Sequence, residues 1–178
     1  LDLIGFGRSE QPGLHSHSRL DNRLWGRQLA AFLEQVVQQP AVLVGNSLGG
    51  LTALTTAAFR PEWVEAVVAA PLPDPALMQP LPKRESRRLR RLKAASVQLL
   101  CRLLPLELLV PLISRTALLR IGLQGAYSRS ISSDRELHQL IASPARRRTA
   151  ARSLRAMSVG MALRPREATA PALLERLA

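Results

Sequence analysis

The sequence predicts an α/β fold with a parallel sheet, and three features of residues 1–71 carry that prediction. A short apolar run over residues 41–44 leads through Gly45 into a helical pattern, as a buried strand that precedes a helix would. That helical pattern stops before Pro61, and a second apolar run follows over residues 64–70. Strands that alternate with helices form βαβ units, so we expect the two strands to be parallel.

The helix before the first strand is predicted from its periodicity. Apolar side chains recur at helical spacing at Trp25, Leu29, Phe32, Leu33 and Val36. Ser18 or Asp21 suits the N-cap of this helix, which ends before Pro40. Further upstream, residues 1–3 are predicted to be the end of a strand that runs into a glycine-rich turn at residues 5–7.

The chain changes character at Pro71, since five prolines fall within residues 71–82. Asp74 directly precedes Pro75, an arrangement typical of a helix N-cap followed by proline at the first helical position. A catalytic carboxylate is the alternative role for Asp74. We favour the cap.

Basic and apolar stretches follow the prolines. Residues 83–93 are strongly basic, and residues 99–113 are apolar but interrupted by Arg102, Pro105, Glu107 and Pro111. The apolar stretch is too short and too broken to span a membrane as one helix. Three interpretations stay open: a helical lid over an apolar pocket, an interfacial segment whose arginine-rich neighbour meets anionic head groups, and an ordinary helix with a solvated face.

Further elements are predicted towards the end of the sequence. They are a glycine-containing connection over residues 121–127 and helices over residues 134–142, 144–161 and 170–178. Ser143 and Pro144 suit the cap and the first turn of the basic helix that runs to residue 161. His138 lies in the helix before it, and we expect a surface or lid histidine there rather than a general base.

The composition limits what the chain can bind. Of the 178 residues, 47% are apolar, and the formal net charge of +12 would attract anionic partners. Only 3% are aromatic, so stacking on bases is poorly supported and we expect no nucleic-acid partner. Cys101 is the single cysteine, which excludes an internal disulfide, fits a reducing compartment and suits a small buried side chain. His15 and His17 lack partners at metal-ligand spacing, so we expect neither a metal nor a cofactor.

Residues 45–49 read Gly-Asn-Ser-Leu-Gly, a G-x-S-x-G motif between the first predicted strand and the following helix. In that context the motif indicates a nucleophile elbow, in which a serine stands on a tight, strained turn. Ser47 is the candidate nucleophile, and the N–H of Leu48 is a candidate oxyanion donor at the helix N-terminus. We assign the turn to Gly45 and the close approach of helix and strand to Gly49. Asn46 lies between Gly45 and Ser47. The alternative is a plain glycine-serine turn between a buried strand and a helix.

Three segments together resemble the α/β-hydrolase superfamily of serine esterases, lipases and related enzymes. They read DLIGFGRSEQP near the start, VLVGNSLGG further on, and FRPEWVEAVV after the helix. The residues of the first two segments are also similar to those of cyanobacterial and plastid hydrolases, including pheophytinase-like esterases. The resemblance implies a partial α/β-hydrolase parallel sheet with helices on both faces in residues 1–71. It also implies an inserted α-helical cap, or lid, in residues 72–170 and the start of a return to the core in residues 171–178.

The resemblance implies an activity as well. It is that of a serine hydrolase acting on an ester or similar acyl bond of a small hydrophobic substrate, with Ser47 as the nucleophile and Leu48 as an oxyanion donor. The family's triad runs in the order serine, acid, histidine, and its acid and histidine would follow residue 178. A second oxyanion donor would precede residue 1. We therefore expect an internal fragment that is marginally stable or unfolded, and inactive, by itself.

An alternative function also fits the resemblance. It is a non-catalytic protein of the same fold that binds an anionic membrane surface or a protein partner through its basic cap. Both functions suit a cytoplasmic protein, or one inside a plastid or cyanobacterium, with peripheral contact to a membrane.

Overall fold

The computed structural model describes residues 1–14, 19–78, 86–128, 130–131 and 133–178. Several residues singled out in the sequence lie outside the described residues: His15, His17, the alternative N-cap Ser18, and residues 83–85 of the basic stretch.

Two parallel strands and the helices around them form the first part of the chain. Asp21 caps α1 (Asn22–Phe32), which continues into a π-helical turn over Leu33–Val37. Strand β1 (Ala41–Gly45), helix α2 (Leu48–Phe59), a 3-10 turn (Pro61–Trp63) and strand β2 (Val64–Ala69) follow in that order. The two strands pair in parallel, with Leu43 opposite Val67, which confirms the predicted βαβ unit.

The helices that contact this two-stranded sheet cover one of its faces. Leu43 is buried there in a cluster with Leu33 and Ala53, and Val67 packs against that cluster. On the opposite face the strand side chains are exposed, by 54% at Val42, 79% at Val44 and 56% at Val68. The resemblance implied helices on both faces; in the described residues, the helices packed on the sheet lie on one face only.

The first residues do not form the predicted strand end. The Gln28 side chain of α1 donates to the Asp2 carbonyl at 3.0 Å and accepts from the Ile4 N–H at 2.9 Å. The indole N–H of Trp25 donates to the Ile4 carbonyl at 2.8 Å. Because side chains of α1 occupy these backbone groups, the segment lies against that helix in irregular conformation. The predicted strand at residues 1–3 is therefore wrong.

A group of helices follows the prolines. After a 3-10 turn (Pro75–Leu77) come α3 (Arg87–Leu103), α4 (Leu106–Arg115), α5 (Ala117–Ala126), α6 (Arg135–Ala145) and α7 (Ala150–Ala162). Helix α7 contacts α3, α4 and α6 and so lies at the centre of the group. Among the described residues, no single helix is long and apolar enough to cross a membrane. The stretches Arg91–Leu103 and Leu106–Arg115 meet that length and composition only as a pair bent by 52°.

Two boundaries in this group differ from the prediction. The expected connection over residues 121–127 falls almost entirely within α5. Gly122 and Gly125 lie in this helix with open space around them, and each glycine costs the helix only about 1 kcal/mol relative to alanine. Pro144 lies in the last turn of α6 and does not begin α7. Its carbonyl accepts a hydrogen bond from the Gln11 side chain at 2.9 Å, and the N–H of Arg146 bonds back onto the helix end. These contacts close α6 before α7 starts at Ala150.

Arg155 on α7 holds the break between α3 and α4. Its guanidinium donates to the carbonyls of Cys101 at 2.8 Å and Leu104 at 3.0 Å, and it forms an ion pair with Glu107. Carbonyls at a helix C-terminus lack partners within the helix, so a cation there is doubly favourable. Hydrogen bonding from Arg155 lowers the pKa of the Glu107 carboxyl to about 2. Cys101 is buried, as its apolar surroundings predicted.

The last helix returns to the region of the sheet. A 3-10 turn (Arg166–Ala168) leads into α8 (Ala170–Leu177), which packs against α2 and confirms the predicted short helix. Their contact is a buried cluster formed by Leu51, Leu54, Ala58, Ala170 and Leu173. The division of the chain into residues 1–71, 72–170 and 171–178 stays a prediction.

Asp74 connects the start of the helical group to the start of α8. Its Oδ1 accepts from the N–H of Ala76 at 3.0 Å, as the predicted cap does, and pairs with Arg164 at 2.6 Å. Its Oδ2 accepts from the N–H of Ala170 at 2.6 Å. Burial raises the pKa of the Asp74 carboxyl, but the hydrogen bonds from Ala170, Ala76 and Arg164 outweigh it and leave the pKa below its usual range.

Replacing Asp74 with asparagine is expected to destabilise the fold and to flatten its response to acid. A carboxyl with a lowered folded-state pKa stabilises the fold above its unfolded pKa of about 3.9, and this contribution disappears as the pH falls through the folded pKa. At neutral pH we expect Asp74→Asn to cost about 3 kcal/mol, since Arg164 keeps a buried charge without its partner. Urea unfolding at a series of pH values measures both effects.

The matched control is Glu175→Gln, which removes an exposed carboxyl from α8 and is expected to change neither quantity. If Asp74→Asn unfolds with the same free energy and the same acid profile as the parent, the buried ion pair contributes nothing to stability.

Candidate active site

Ser47 lies at the junction of β1 and α2, at the carboxyl end of the strand. Its backbone adopts φ +54° and ψ −121°, a conformation that residues other than glycine rarely take. Such a conformation costs on the order of 1–3 kcal/mol and persists only where the surrounding structure enforces it. The predicted strand, sharp turn and helix are therefore all present around this serine.

Close backbone contact between strand and helix enforces the turn. A Cβ added at Gly45 would lie 2.4 Å from the carbonyl carbon of Gly49, and one added at Gly50 would lie 2.9 Å from the Gly45 carbonyl oxygen. A Cβ at Gly49 would meet no atom within 4 Å. Gly45 has no positive φ, so its role is close approach rather than turning, and Gly50 supplies the other side of the contact. The roles that we predicted for Gly45 and Gly49 are therefore corrected.

The first turn of α2 leaves hydrogen-bonding groups free around Ser47. The N–H of Gly49 donates to the Asn46 carbonyl at 2.9 Å, and the N–H of Leu51 donates to the Ser47 carbonyl at 3.1 Å. Within the described ranges, the Leu48 N–H donates no hydrogen bond and the half-buried Ser47 side chain does not cap the helix. An unpaired N–H at a helix N-terminus can donate to a carbonyl oxygen that gains negative charge when a neighbouring hydroxyl attacks the carbonyl carbon.

The structure brings the five residues of the motif together, but it does not place a described carboxylate or histidine in hydrogen-bond contact with Ser47. Both oxygens of Asp74 are occupied by Ala76, Arg164 and Ala170, which excludes it as a free catalytic carboxylate in this conformation. His138 lies half-buried on α6, and its Nε2 has no hydrogen-bond partner among the described residues. Among all the residues that the structure describes, no group of three His, Cys, Asp or Glu side chains could hold a metal ion.

The glycine-rich turn near the start of the chain forms one wall of an apolar cavity of about 390 Å³. Gly5 and Gly7 both have positive φ, so the turn can follow a path closed to most other residues. Facing it are side chains from α4, α6 and α7, namely Val110, Leu140, Ile141, Leu154 and Met157. Ser47 is not among the lining residues.

Several of these cavity residues were not predicted from the sequence. The apolar positions of residues 99–113 indicated a lid, but which of them face the glycine-rich turn depends on how α4, α6 and α7 pack. The turn is fixed to that helical group by hydrogen bonds from Thr149 to the Gln11 side chain at 2.6 Å and from Arg147 to the Ser9 carbonyl at 2.8 Å. The residues joined by each of these bonds are 138 positions apart, so no local sequence pattern indicates this contact.

Alanine substitutions at Gly45 and Gly49 are expected to have opposite effects on stability. Gly45→Ala forces a Cβ into backbone atoms of α2 that have no room to move, so we expect a loss of about 3 kcal/mol or more. Gly49→Ala enters open space in a helix, where alanine is favoured over glycine by up to about 1 kcal/mol. Chemical unfolding of the two variants and the parent measures both. Equal destabilisation by the two substitutions would contradict the close approach at Gly45.

Comparison with known proteins gives one match. The alpha/beta hydrolase family model matches residues 1–176. No curated protein and no solved structure matches the chain. The match covers nearly the whole sequence, including the helical group between β2 and α8, and the α/β unit with its parallel strands agrees with it. The chain therefore belongs to the alpha/beta hydrolase family.

Proposed function

We propose that this protein is a serine hydrolase that cleaves an ester or a similar acyl bond of a hydrophobic substrate, with Ser47 as its nucleophile. The observation that carries the proposal is the backbone of Ser47, held at φ +54° between a strand and a helix. Strained backbone persists at functional sites more often than elsewhere, because packing must maintain it. Membership of the alpha/beta hydrolase family supports a hydrolytic reaction.

The chemistry follows from the groups at the start of α2. The Ser47 hydroxyl attacks the substrate's carbonyl carbon and gives its proton to a base, and the carbonyl oxygen becomes an oxyanion. The Leu48 N–H, which is unpaired among the described residues, donates to that oxyanion. The tetrahedral intermediate expels the alkoxide, which takes the proton from the base and leaves as the alcohol, and water then hydrolyses the acyl-serine. We assign the base to no described residue, because none bonds to Ser47.

The preference for a hydrophobic substrate is supported by the cavity at the glycine-rich turn. Its side chains from α4, α6 and α7 are aliphatic or thioether groups, which favour an acyl chain or another apolar group over a charged one. The cavity is next to the chain's first turn rather than to Ser47 itself, so it would hold a remote part of the substrate.

In the full-length protein, a fluorophosphonate probe is expected to label Ser47 covalently, because such probes react with activated serines and leave ordinary hydroxyls unmodified. Mass spectrometry of the labelled protein identifies the site, and Ser47→Ala is expected to abolish labelling. The matched control is Ser158→Ala, since Ser158 is exposed in a regular helix and its hydroxyl donates to the Leu154 carbonyl at 2.9 Å. An absence of labelling in folded protein, or equal labelling of Ser47→Ala, would refute the assignment of the nucleophile.

A further inference from the structure

The apolar stripe of α3 points away from the rest of the molecule. Leu92, Leu99 and Leu103 share one face of this helix and are 66%, 59% and 70% exposed. The α3 side chains that pack inward are Ala94, Val97 and Cys101. At 3.6 residues per turn, the centres of these two stripes lie about 170° apart around the helix. A surface helix of a globular protein normally buries its larger apolar stripe, and α3 does the reverse.

Helices α4 and α5 also carry exposed apolar side chains. Leu108 is 73% exposed and Leu112 is 52% exposed on α4, and Ile121 is 69% exposed on α5. Both α3 and α4 rest on α7, so their exposed leucines face away from that helix. We call these six side chains the leucine face: Leu92, Leu99, Leu103, Leu108, Leu112 and Ile121. Exposed large apolar side chains on adjoining helices are typical of a binding surface.

Positive charge lies along both edges of the leucine stripe on α3. Arg88 and Arg102 are exposed on one edge and Lys93 is exposed on the other. Residues 86–126 contain eight Lys and Arg residues and one acidic residue, Glu107, which pairs with Arg155. An apolar stripe between basic edges is the pattern of helices that lie in the interface of an anionic membrane.

We propose that the leucine face docks on the surface of an anionic lipid bilayer, with its aliphatic side chains among the acyl chains and the flanking cations at the lipid phosphates. A second copy of this chain is a poorer occupant, because two surfaces of a protein with net charge +12 repel each other. A protein partner is also poorer, since protein interfaces are rich in Tyr and Trp, and the leucine face is wholly aliphatic.

The docked helices lie along the membrane surface rather than across the bilayer. Arg155 ties the carbonyls of Cys101 and Leu104 and the Glu107 carboxylate to α7, and these groups flank the 52° bend between the two helices. Straightening the pair into a spanning helix would break those bonds and leave charged groups unpaired. This surface is independent of the proposed hydrolase, since Ser47 is not part of it.

Co-sedimentation with phospholipid vesicles tests the proposal. The parent protein is expected to bind vesicles that contain about one third phosphatidylglycerol at least roughly tenfold more tightly than vesicles of phosphatidylcholine alone. The triple variant Leu92→Ser, Leu99→Ser, Leu103→Ser is expected to bind about 100-fold more weakly, since it removes apolar area that would enter the bilayer. The pair Arg88→Gln, Arg102→Gln is expected to lose about 20-fold on anionic vesicles only.

Matched controls come from exposed residues elsewhere on the surface. Val36→Ser, Leu174→Ser and Arg27→Gln remove exposed apolar or basic groups outside the leucine face and are expected to bind as the parent does. Ser47→Ala is also expected to bind vesicles as the parent does. The vesicle-binding result therefore tests the leucine face whether or not Ser47 is a nucleophile. Circular dichroism melts confirm that each variant is folded.

Two outcomes would overturn the proposal. One is vesicle binding that the leucine substitutions leave unchanged. The other is a parent protein that does not bind vesicles but forms dimers in sedimentation velocity. The same leucine substitutions would then dissociate those dimers. The second outcome would assign the leucine face to self-association.

Discussion

The backbone contact between the end of β1 and the first turn of α2 is the constraint on which the candidate site depends. With Gly45 against Gly49 and Gly50, only Asn46 and Ser47 lie between the end of the strand and the start of the helix. Ser47 takes the positive φ that so short a path requires. A side chain at Gly45 or Gly50 would separate the two elements and remove the reason for the strain.

That strain needs a rigid support, and α2 provides it. Residues 50–58 are buried without interruption, between α1, the two strands and α8. Three threonines are included, and each hydroxyl bonds to a carbonyl one turn earlier, so the helix carries polar side chains into the core without leaving them unpaired. Asn22 adds a bond from α1 to Thr55 and another to the Ala168 carbonyl before α8. The packing that holds α2 in place thus also maintains the conformation of Ser47.

Local patterns predicted the elements of the fold, and long-range contacts account for what they missed. The βαβ unit, the α1 cap at Asp21 and the cap at Asp74 follow from residues close in sequence, and the structure has them. The irregular path of residues 1–3 depends on Gln28, and the end of α6 at Pro144 involves Gln11, far away in sequence. Val36 was expected on the buried face of α1, but the π-helical turn changes the spacing and leaves it 64% exposed. The motif predicted the tight turn at Ser47, and the close approach of Gly45 to Gly49 and Gly50 depends on how the strand and the helix pack.

Helix α3 shows why a periodic pattern does not by itself determine orientation. Spacing tells which side chains share a face, as Leu92, Leu99 and Leu103 do, but it does not tell which face packs inward. In this helix the smaller stripe of Ala94, Val97 and Cys101 packs inward, and α7 is the neighbour that α3 contacts. Small side chains permit a close approach, and Arg155 can then reach the Cys101 carbonyl at 2.8 Å. The close approach and the reach of that arginine explain why the leucines are left outside, so the exposed face follows from the same contacts that hold the helical group together.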